Sequence, residues 1–60
     1  MKFIELTFLD DTKIAIITKC IRAIERIEEN KTRIYFFDGE KADYYHVKET
    51  YDEIKHKLKI

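Results

Sequence analysis

The sequence has no proline, no tryptophan, one glycine and one cysteine among its 60 residues. Each scarcity excludes something. Gly39 alone cannot build a glycine-rich phosphate loop, which needs several positions that let a backbone approach the ligand closely. Cys20 alone can form neither an internal disulfide nor a thiolate zinc centre, and it suits a reducing compartment, so the expected location is the cytoplasm. Neither sign of charge is in excess, because 12 Lys and Arg balance 12 Asp and Glu. The broad basic field of most nucleic-acid binders is therefore missing, and any basic function has to be local. The longest stretch without a charge runs only from Ile14 to Thr18, far below the roughly 20 apolar residues of a transmembrane helix. The first five residues carry Lys2 and Glu5 and no apolar signal core, so they read as part of the folded chain.

Core material, by contrast, is ample. Hydrophobic residues make up 45% of the chain, with four Phe and four Tyr, which favours a folded protein despite 40% charged residues. The length fits one small domain over residues 1–60. A chain of this size buries only about 60% of its unfolded surface, so it gains much from an oligomer, a metal or disulfides. Only the oligomer is open to this composition.

Residues 2–9 alternate, with Ile4, Leu6 and Phe8 on one side and Glu5 and Thr7 on the other, which predicts a half-buried strand. Asp10, Asp11 and Thr12 supply turn-forming side chains, and residues 13–18 are β-branched, so the two segments read as a hairpin. Residues 19–29 carry two signals at once. Ile17, Ile21, Ile24 and Ile27 recur at helical spacing, whereas Glu25 and Glu29 repel at i,i+4 and the isoleucines lower helix propensity. Asn30 and Lys31 mark a turn, residues 32–37 a strand, Asp38 and Gly39 a further turn, and residues 42–47 another strand. Thr50 and Glu53 match a capping box, which starts a helix whose apolar stripe is Tyr51, Ile54 and Leu58. Asp52 and Glu53 at its start and Lys55, Lys57 and Lys59 at its end complement the helix dipole, which accounts for the basic tail without a binding role. The expected fold is α+β, a small mainly antiparallel sheet of four to five strands with a C-terminal helix.

Candidate chemistry is sparse. His46 and His56 have no His or Cys at ligand spacing, so a metal site is not expected, and they read as a sheet residue and a solvated helix residue. Cys20 reads as a small buried thiol, because a chain this short offers little cleft and no third group to orient a nucleophile and base. The neighbouring carboxylates Asp10 and Asp11, and Glu28 and Glu29, fall where adjacent side chains diverge. No catalytic residue, cofactor or small-molecule substrate is expected.

Aromatics are the one surplus. Tyr35, Phe36, Phe37, Tyr44 and Tyr45 lie on two strands of one hairpin and must project from both of its faces. If the face carrying Ile34, Phe36, Tyr45 and Val47 is covered, then Tyr35, Phe37 and Tyr44 are left for a second surface, with Phe3 a candidate beside them. Exposed apolar groups of this kind usually mark association, so the expected function is a small non-enzymatic interaction or regulatory protein that binds a protein partner or a second copy of itself. The alternative is a small nucleic-acid module in which the same aromatics stack bases while Lys13, Arg33, Lys41 and Lys48 contact phosphates.

Ile4-Glu5-Leu6-Thr7-Phe8-Leu9-Asp10, then Ile21 and Ile24-Glu25, then Thr32-Arg33-Ile34 with Asp38-Gly39, and finally Val47-Lys48-Glu49-Thr50 resemble the small flagellar FlbD-like proteins of the swarming motility family. The resemblance spans the chain. It implies a β-rich reading of residues 22–28 and, because the family is not one of enzymes, no catalytic residues. A fainter similarity is to the end of LytTR-type DNA-binding domains, where strand, Asp-Gly turn, strand and capped helix follow in the same order.

Overall fold

A computed structural model describes residues 2–37 and 39–59. The alternation of the opening segment becomes strand β1 (Phe3–Thr7), in which Ile4 and Leu6 are buried while Phe3 and Glu5 face solvent. Antiparallel β2 (Lys13–Ile17) sets Ile16 opposite Ile4 and Ile14 opposite Leu6, giving the hairpin one apolar face. Leu9, Asp10 and Asp11 close it. The Asp11 N–H donates to the Phe8 carbonyl at 3.0 Å and the Phe8 N–H to the Thr12 carbonyl at 2.8 Å. Asp11 takes φ +73°, the left-handed conformation that ends a three-residue hairpin loop and is usually left to glycine. Asp10 braces the loop by accepting from the Thr12 hydroxyl at 2.6 Å and the Thr12 N–H at 3.1 Å, and these bonds hold its carboxyl below the ordinary range.

The ambiguous segment resolves into a short 3₁₀ turn, Thr18–Cys20, followed by strand β3 (Ile21–Glu28). Two bulges, one between Ile21 and Ala23 and one between Arg26 and Glu28, interrupt its pairing with β4 (Lys31–Phe37). Lys31 therefore opens a strand, and the tight turn falls on Glu29 and Asn30. β4 is central, with β5 (Ala42–Val47) on its other side, so the order of this antiparallel sheet is β3-β4-β5. Gly39, in the connection before β5, has φ +103°. Asp38, its expected turn partner, lies outside the described residues.

The five strands thus form two antiparallel sheets, which meet where Phe8 bridges Val47. The Lys48 N–H donates to the Thr7 carbonyl at 2.8 Å, and the Glu49 carboxylate accepts from the Thr7 N–H at 2.8 Å and its hydroxyl at 2.9 Å. Lys48 also forms an ion pair with Asp11. Helix α1 (Tyr51–Leu58) then starts in the expected register. Thr50 Oγ1 accepts from the Glu53 N–H at 3.1 Å, and Glu53 Oε1 accepts from the Thr50 N–H at 3.0 Å. The Thr50 backbone bond is the main reason the Glu53 carboxyl is held below its ordinary value.

Ile4, Leu6, Ile16, Ile34, Val47 and Ile54 form the core, drawing on both sheets and the helix. Leu58 packs against it, and Tyr51, half-buried, lies beneath the Lys55 ammonium. The only buried polar side chain among the described residues is Thr32, whose hydroxyl donates to the Glu49 carbonyl at 2.8 Å. No helix among these residues is long and apolar enough to cross a membrane.

Candidate interaction surface

Strand alternation sends Ile34 and Val47 into the core, and the same alternation turns Arg33, Tyr35 and Phe37 of β4 to the opposite face with Tyr44 and His46 of β5. Pairing across three strands arranges these residues in rows. Glu25, Arg33 and His46 stand opposite one another in one row, and Ala23, Tyr35 and Tyr44 in the next. Phe37 lies beyond them, with the Arg22 guanidinium 5.5 Å from its ring centre.

The Glu25 row is wired to the tyrosine row. Arg33 Nε donates to His46 Nε2 at 3.0 Å, while Arg33 Nη1 donates to the Tyr35 hydroxyl at 3.2 Å and lies 3.5 Å from Glu25 Oε1. The Tyr35 hydroxyl in turn donates to Glu25 Oε1 at 2.8 Å. The guanidinium sits 4.9 Å from the centre of the Tyr44 ring, within cation–π range. Tyr44 meets Tyr35 and His46 edge-on, at centroid distances of 6.1 and 5.3 Å. Bonding to Tyr35, above all, raises the Arg33 pKa, so this guanidinium is a permanent charge. Burial, then the charges of Arg33 and Lys31, lower the His46 pKa and keep its Nε2 an acceptor.

Of the four residues expected at a protein interface, the structure places three on this face. Tyr44 is 48% exposed, Phe37 is 37% exposed and Tyr35 is half-buried. A depression of about 300 Å³ lies along Arg22, Tyr35, Ala42, Asp43 and Tyr44. Phe3, 57% exposed, belongs elsewhere: it sits on β1 of the other sheet, opposite Ile17, and lines a separate cleft with Phe36 and Tyr45. The cations considered for phosphate contact are not gathered on one surface. Lys13 donates to the Thr7 hydroxyl at 2.8 Å and Lys48 pairs with Asp11, both on the hairpin side, while Lys41 lies in the connection before β5. Arg33 alone among them shares the aromatic face.

Glu25 and His46 are part of this surface although aromatic content did not single them out. The signal was period two, which already set His46 on the same side as Tyr44. His56 is exposed on the helix, and Cys20 is half-buried beside the apolar cleft rather than fully enclosed. No group of His, Cys, Asp or Glu among the described residues could hold a metal ion. Compared with known proteins, the chain matches no family model, no curated protein and no solved structure.

Proposed function

We propose that this is a non-enzymatic interaction protein of the cytoplasm, which binds a protein partner through the Tyr35, Phe37 and Tyr44 face of its three-stranded sheet and also associates with itself. The observation that carries this reading is the Arg33 guanidinium held over the exposed Tyr44 ring and tied at once to His46 and Tyr35. Tyr and Arg dominate the binding energy of protein interfaces, and side chains already fixed in the free protein lose little freedom on docking. The resemblance to the non-enzymatic FlbD-like proteins points the same way. A nucleic-acid role gains less support, because Lys13 and Lys48 are occupied by Thr7 and Asp11 away from the aromatics.

The reading is tested by affinity capture from the native host with the wild-type protein and the Tyr44→Ala and Arg33→Ala variants, each checked for an unchanged fold by circular dichroism. A partner retained by the wild type and lost by both variants supports it. Capture that is indifferent to both substitutions overturns it, as does oligonucleotide binding by fluorescence anisotropy that weakens steeply with salt.

A further inference from the structure

The outer edge of β2 is an unprotected strand edge, and we propose that a second copy of the chain pairs with it antiparallel about a two-fold axis at Ala15. The inference rests on the self-association part of the reading above and adds the surface and its register.

Two sheets have four edges. β1 and β5 join only at their ends, through the Phe8 bridge to Val47 and the bonds of Thr7 to Lys48 and Glu49, and the rest of their edges carries Glu5 and Asp43, whereas β2 and β3 have no such junction among the described residues. The β2 and β3 edges differ in kind. β3 carries two bulges and the charges of Arg22, Glu25, Arg26 and Glu28, the devices by which proteins keep an edge from adding a strand. β2 has no bulge, since its ladder to β1 runs without a register shift, and its one charge, Lys13, stands at its end while Ile14 to Ile17 bear none.

The ladder also shows which groups the edge offers. Thr18 donates to the Lys2 carbonyl at one end of the hairpin and Phe8 to the Thr12 carbonyl at the other. Hydrogen-bonded pairs alternate along an antiparallel ladder, so the backbone groups of Ile14 and Ile16 point at β1 and those of Lys13, Ala15 and Ile17 point away. Among the described residues no backbone bond reaches these outward groups.

A second β2 about a two-fold at Ala15 sets Ala15 against Ala15, and Lys13 against Ile17 in both directions. Every outward N–H and C=O then finds a partner. The same register sets Ile14 beside Ile16 of the other copy on the core face, and no two like charges stand opposite each other. Ile14 to Ile17 themselves form one wall of an apolar cleft of about 310 Å³, with Phe3, Cys20, Phe36 and Tyr45 completing it, and the second copy enters this cleft. A standard interface takes about 800 Å² per partner, roughly a sixth of the 4503 Å² of accessible surface here. The contact is isologous and closes at a dimer.

Ala15 is exposed and faces away from the core, so a long side chain fits there in the monomer. Sedimentation equilibrium on the full chain is expected to show a wild-type dimer that dissociates on dilution. Ala15→Lys and Ala15→Glu should each raise the dissociation constant at least about tenfold by setting like charges opposite one another, and mixing the two variants should restore the dimer. Far-UV circular dichroism verifies that both variants remain folded. A wild type that stays monomeric at high concentration overturns self-association altogether. A wild-type dimer that persists in both variants, or mixed variants that stay apart, overturns the β2 edge alone.

Discussion

Arg33 donates its Nε hydrogen to His46 Nε2 across the β4-β5 pairing, at 3.0 Å, so the imidazole must be neutral for the bond to exist. Protonated His46 would carry a hydrogen on that nitrogen and face a permanent cation. Glu25, across the row, bonds Tyr35 and Arg33 but makes no hydrogen bond to His46 that could offset this.

That relationship gives stability a pH dependence of known sign. Burial first, then Arg33 and Lys31, depresses the folded pKa of His46 below an unfolded value of about 6.5. The unfolded chain then binds more protons, so the associated stability is complete above about pH 6.5 and is lost as pH falls through the lower folded value. Urea midpoints should therefore drop between neutral pH and pH 5. His46→Gln, which keeps an acceptor for Arg33 but does not titrate, should flatten this part of the profile. Asp10 and Glu53, also depressed, act in the same direction near the lower range of carboxyl groups.

The helix separates cap from core. Thr50→Ala removes the side-chain acceptor of the Glu53 N–H and should cost about 1 kcal/mol. Ile54→Ala opens a cavity at a fully buried position and should cost about 2 to 5 kcal/mol. Lys57→Ala, at an exposed position, should leave the urea midpoint unchanged. Equal and negligible effects of the first two substitutions would show that the helix does not dock in this register.

Thr32 tests a buried polar group. Thr32→Val preserves shape but leaves the Glu49 carbonyl without its 2.8 Å donor, for an expected loss of about 1 to 3 kcal/mol. A denaturation series in which Thr32→Val is neutral would mean that the carbonyl finds water.

The left-handed residue of the first loop separates backbone from side chain. A β-branched residue is penalised there, so Asp11→Val should lose about 1 to 2 kcal/mol relative to Asp11→Gly, although both lack the ion pair to Lys48. Thermal melts of the two variants supply the comparison, and equal stability would contradict the φ of +73°.

Most elements could be read from local pattern: the period-two strand with Ile4 and Leu6, the β4 and β5 strands, and the Thr50 cap each follow from residues close in sequence. Residues 19–29 were ambiguous for a specific reason. The bulge at Arg22 slips the strand alternation by one residue, so Ile21 and Ile24 both turn to the core although three positions apart. A bulged strand thereby reproduces helical spacing. The wiring of the outer face was hidden by loop length. A two-residue turn at Asp38 and Gly39 would set Arg33 opposite Tyr44, but the connection from Phe37 to Ala42 is longer and brings His46 there instead. Phe3 could be assigned to the non-core side of its strand, but nothing local shows that its strand belongs to a different sheet from Tyr35 and Tyr44.

The seam between Thr7 and Glu49 joins residues 42 positions apart. Each hairpin, by comparison, closes over a short loop, and such closures take microseconds or less. Closing a span of most of the chain costs more entropy and cannot be rewarded until both sheets exist. The seam is thus a costlier closure than either hairpin, and its opening would bare Leu6 and Val47, two residues of the one core that both sheets share, to water.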